Sequence, residues 1–155
     1  MTKLLLSLHV LASVLAIGPV TVAASMFPKA LRHAHGDPGD RQALTNLRML
    51  HRICRVYAAI GIAVPVFGFA TAGSLGVLGS GWLITSILLT AAAAAILALL
   101  ILPAQDRALA TAQTRAAGSG PRSAYRLAMH TGVFNLLWAT VTVLMIIRPG
   151  STTGV

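Results

Sequence analysis

Four apolar blocks, each about as long as a bilayer is thick, constrain this chain more than any other feature. They cover residues 4–27, 55–76, 81–103 and 127–147. A helix rising 1.5 Å per residue needs about 20 residues to cross a hydrocarbon core of ~30 Å. A backbone in hydrocarbon must satisfy its own N–H and C=O groups, so each block is expected to be a helix. The second holds Gly61, Pro65, Gly68 and Gly73 and is kept as a span because such residues are common in membrane helices. The expected fold is all-α: one integral membrane domain over residues 1–155, an antiparallel up-down bundle of four transmembrane helices. Composition agrees, since 56% of residues are hydrophobic and 10% charged, whereas a soluble surface needs roughly 25% charged residues.

The charges set a direction. Of twelve Lys and Arg residues, ten lie in or beside the segments 28–54 and 104–126, and the other two are Lys3 and Arg148 near the termini. The connection between the second and third spans, "SLGVLGSG", carries no charge. Basic residues collect in cytoplasmic loops, so both basic segments are expected inside and both termini outside. The net charge of +9 is thereby a topology signal, and nucleic acid is not an expected partner. Lys3, the apolar run and Val22-Ala23-Ala24 imitate a signal peptide, but a cleaved leader would put the first basic segment outside. The first span is therefore read as retained.

In "DRQALTNLRMLHRICRVY", Asp40 is positioned to cap a helix that runs without Gly or Pro into the second span. Arg41, Arg48, Arg52 and Arg55 share one face of it, and Leu44, Leu47 and Leu50 another. Such a basic face at a membrane boundary points to anionic inner-leaflet lipid, at about 1 kcal/mol per basic residue. The preceding "RHAHGDPGD" groups His33, His35, Asp37 and Asp40, but its Gly and Pro residues describe a turn without fixed ligand geometry, and no metal site is expected. After the third span, "PAQDRALATAQTRAAG" continues as helix to Gly118, and "GSGPRS" turns the chain back. The single cysteine, Cys54, excludes an internal disulfide and any CxxC motif, and reads as a small apolar residue.

Within the spans the polar residues are few. No span holds a carboxylate or a lysine, so a charged proton relay is not expected. Asn135, Thr140 and Thr142 read as interhelical hydrogen bonders, and Ala91–Ala95, Ala98, Gly61 and Gly68 as close-packing surfaces. His9 is the exception that asks for a role. An imidazole in hydrocarbon must find partners, so a neutral His9 facing the bundle interior is expected, bonded to Thr85 or Ser86 of the third span, with Trp82 and Met145 at similar depth. His130, near the opposite boundary, is separated from His9 by about 15 Å or more along the membrane normal, too far for both to ligate one haem. His51 shares the boundary of His130.

"LLLSLHVLASVLAIGP", the basic connection after it, the glycine-containing second span and "GWLITSILLTAAAAAILALLILPAQDRAL" together resemble the small bacterial predicted integral membrane proteins of unknown function. Their first helix in turn is similar to that of the copper-resistance CopD and HemJ-type families. The resemblance implies a multi-pass protein of the bacterial plasma membrane. It also implies His9 as a cofactor-binding residue for haem b or copper, in a redox protein. The lysine that HemJ-type proteins carry early in the third helix is replaced here by Thr85 and Ser86. Against that stands a non-enzymatic reading, an accessory subunit or small-molecule-handling component, with a second copy or a partner membrane subunit left open. No reaction or substrate is legible.

Overall fold

The computed structural model describes residues 1–36, 40–114 and 121–150. Its elements are α1 (Thr2–Gly36), α2 (Arg41–Ile60), α3 (Ala63–Leu75), α4 (Gly81–Ala95), a π-helical turn (Ile96–Ile101), α5 (Leu102–Thr114) and α6 (Pro121–Ile147). They form four helical rods long and apolar enough to cross a membrane: Thr2–Gly36, Arg41–Leu75, Gly81–Thr114 and Arg122–Ile147. The expected all-α bundle of four spans is therefore present.

The rods overshoot the apolar blocks. α1 does not stop at 27 but runs through Pro19 and Pro28 to Gly36. Each proline removes one backbone donor from the helix, yet neither ends it. Asp40 then caps α2, its Oδ1 accepting from the N–H of Gln42 at 2.7 Å and of Ala43 at 3.1 Å. Much of the basic stretch 28–54 is thus helix, and its packed side chains extend the bundle past the apolar spans. Phe27 and Leu31 of α1, Leu47 of α2, Ala108 of α5, and Ala124 and Leu127 of α6 form a buried cluster there. A second cluster fills the middle around Val20, Ala24, Cys54, Ala93, Ile101 and Phe134. A third, Ala72, Trp82 and Leu83 with Met145 against them, closes the end that carries the termini. Side chains such as Val14, Leu88, Leu136 and Ile146 are more than half exposed, the surface a bilayer would cover.

Two rods are interrupted, each for a local reason. Pro65 cannot donate to Gly61 O, and the second rod breaks there. Val64 N–H bonds Gly61 O at 3.1 Å and Ile62 N–H bonds Ala59 O at 3.2 Å, a tighter turn between α2 and α3. α3 ends on Gly76 at φ +68, with Val77 N–H closing onto Ala72 O at 3.2 Å; this left-handed cap needs glycine. In the third rod the π-turn lies just ahead of Pro103, and Leu102 N–H reaches back to Leu97 O. The wider turn relieves the clash of a proline ring with the preceding carbonyls. It also keeps Ala93, Leu97, Ile101 and Gln105 buried in one line.

α1 lies at the centre, against α2, α3, α5 and α6, while α3 packs chiefly on α1. Of the alanine run 91–95 and Ala98, Ala93 alone is buried and the others face outward, so most of that expected packing surface is not used within the chain.

Candidate functional site

His9 points into the seam between α1 and α3. Its Nδ1–H donates to the carbonyl of Val64 at 2.9 Å; a carbonyl can only accept, so the proton sits on Nδ1. The ring lies against Gly68, where a Cβ would meet His9 Cε1 at 3.0 Å and Nδ1 at 3.2 Å. Gly68 is thus a slot for the imidazole. The expected partners on the third span are engaged elsewhere. Thr85 donates to Gly81 O at 2.9 Å and Ser86 to Trp82 O at 2.8 Å, both within α4, while Met145 packs on the Trp82 cluster. The cause is physical: the break before Pro65 starts a new helix beside His9, and a carbonyl of its first turn is at hand.

With Nδ1 spent on Val64, Nε2 is the ring nitrogen of His9 left to meet a ligand. A copper centre would need further donors. Among the described residues no three His, Cys, Asp or Glu side chains converge as such a site would require. The donor set does not fit copper.

A second polar cluster, absent from the sequence reading, sits toward the basic end. His51 and Gln105 are both buried, and His51 Nδ1 lies 3.1 Å from Gln105 Oε1. Gln105 Nε2 in turn donates to Cys54 Sγ at 3.6 Å. His51 Nε2 is 2.8 Å from Asp106 Oδ1, an ion-pair distance without the alignment of a hydrogen bond. The contact joins α2 to α5 across the bundle. Gln105 looks like an ordinary surface residue between Ala104 and Asp106; it lies one turn beyond the π-turn and is fully buried.

The other expected bridges divide. Asn135 Nδ2 donates to Ser25 Oγ at 3.1 Å and does tie α6 to α1. Thr140 and Thr142 instead bond Leu136 O and Trp138 O of their own helix, both at 2.9 Å. On α2 the buried face is Ala43, Leu47, His51 and Cys54, with Leu44 and Leu50 half-buried. Arg41, Arg48, Arg52 and Arg55 are all exposed. In the His33–Asp40 grouping, His35 Nδ1 lies 2.7 Å from Leu31 O and Asp40 is spent on its cap, while Asp37 lies outside the described residues, as do residues 118–120 of "GSGPRS".

Between α1 and α2 runs a cavity of about 690 Å³. Pro19, Val22 and Met26 line it from one side and Met49, Leu50 and Ile53 from the other. Its end away from the bilayer centre carries Lys29, His33 and Asn46.

Comparison with protein-family models matches residues 3–149 to the predicted integral membrane protein family DUF2269. The chain belongs to that family. Comparisons with curated proteins and with solved structures return no match.

Proposed function

From membership of an integral membrane family, we propose that this is a multi-pass protein of the bacterial plasma membrane that carries out no reaction of its own. It serves as an accessory or small-molecule-handling component. In this reading both basic ends of the rods face the cytoplasm and both termini lie outside, as the distribution of Lys and Arg favours.

One observation carries the proposal. Two histidines turned inward, His9 and His51, bond Val64 and Gln105 on neighbouring helices, while the arginines of α2 are turned outward. The exposed Arg41, Arg48, Arg52 and Arg55 suit anionic headgroups, and their long side chains can reach the interface from a helix that continues into hydrocarbon. The bilayer itself is then the first partner.

The test is reconstitution into nanodiscs of mixed anionic and neutral lipid, with spin-labelled lipids reporting the boundary layer. Replacing Arg41, Arg48 and Arg52 together by Gln is expected to lower the preference for anionic lipid, and added salt to erase the difference. An unchanged preference at low salt would reduce the arginines to topology signals.

A further inference from the structure

We propose that the cavity between α1 and α2 is a binding site for one anionic phospholipid, its acyl chain in the apolar part and its phosphate at Lys29, His33 and Asn46. Its size lies within the roughly 300–1,000 Å³ of small-molecule sites. Its shape follows the helix pair: from Pro19 to His33 is fourteen residues, about 21 Å of helix. Polarity changes along that length. Pro19, Val22 and Met26 fall inside the first apolar span, whereas Lys29 and His33 lie just beyond its end at 27. A phospholipid has the same order of parts over a similar distance, and it enters a membrane protein from the side.

Charge argues for an anionic headgroup. The polar end supplies an ammonium, an imidazole and an amide, and no carboxylate among the described residues lines the cavity. Each of these groups can donate to a phosphate oxygen. Met26 and Met49 at the rim are 55% and 62% exposed, so the cavity opens toward the bilayer, and flexible thioethers accommodate chains of different kinds. Ala23, Ala30 and Ala43 in the lining leave the room between the two helices. The proposal rests on the preceding reading only for the leaflet concerned, because the lipid follows the basic end whichever side that end faces.

The experiment is native mass spectrometry of the full chain, delipidated in detergent and titrated with phosphatidylglycerol or with phosphatidylcholine of the same acyl composition. One phosphatidylglycerol should be retained, with phosphatidylcholine weaker by about tenfold or more. Lys29→Gln with His33→Gln, both at exposed positions, should remove most of that discrimination. Met26→Trp with Met49→Trp should fill the cavity and abolish retention of either lipid. Arg41→Gln, Arg48→Gln and Arg52→Gln together should leave the single adduct in place, which separates this site from the boundary lipid of the preceding section. Equal retention of the two lipids, or loss of the adduct in the arginine variant but not in the cavity variants, would overturn the proposal. So would a change of oligomeric state on filling the cavity with no change in bound lipid, which would make a second copy the occupant.

Discussion

Replacing Gly68 by alanine should have opposite signs in two backgrounds. In an exposed helix, Gly→Ala gains about 1 kcal/mol from backbone propensity. Here the new methyl would stand 3.0 Å from His9 Cε1 and 3.2 Å from Nδ1, closer than carbon atoms pack. Either the ring is compressed, at the ~1–3 kcal/mol typical of overpacking, or it swings out and leaves a polar ring unpaired among apolar groups, at a similar ~1–3 kcal/mol. Set against about 1 kcal/mol of propensity, Gly68→Ala in the native background should destabilise by up to about 2 kcal/mol. With His9→Ala already made, the obstruction is gone and the same change should stabilise by up to about 1 kcal/mol. The coupling between the sites should thus be roughly 1–3 kcal/mol, within the range for touching residues. Equilibrium unfolding of the four proteins in mixed micelles, followed by circular dichroism, measures it. Equal effects of Gly68→Ala in both backgrounds would refute the contact.

Reporters fused after Val155 and within 104–122 should fall in opposite compartments, with 104–122 in the cytoplasm; a cytoplasmic C-terminus would overturn the orientation. Gln105→Ala should cost about 1–3 kcal/mol by leaving the buried His51 Nδ1 unpaired, whereas Gln105→Leu combined with His51→Leu should cost less than the two single changes summed. Thermal unfolding in detergent reads both. The purified protein should show no Soret band; one that vanishes in His9→Ala would instead establish a haem ligand.

Span number was legible because it depends on length and polarity, which a linear chain displays directly. The cap at Asp40 was legible too, being a contact across three residues. His9 could be picked out as a polar group needing a partner, but its partner could not be named. Val64 offers a backbone carbonyl, which every residue has, and what selects it is the helix break at Gly61–Ile62 together with the missing side chain at Gly68. Gln105 illustrates the same limit more sharply. It lies one turn beyond the π-turn, and a helical wheel drawn at a constant angle cannot represent that. The alanines at 91–95 failed for the converse reason: small residues permit close approach without requiring it, and the chain has too few helices to surround them all.

The break between α2 and α3 also changes what the second crossing is mechanically. A continuous 35-residue helix is a lever, and a tilt imposed on one end arrives at the other. Here two shorter helices meet at a tighter, still right-handed turn at Gly61–Ile62, which is the point where the crossing would yield first. A tilt imposed on the arginine-bearing half would be taken up at that turn, while α3 is held to α1 by the imidazole in its slot. The end of the bundle that carries the termini would then follow α1 and not α2.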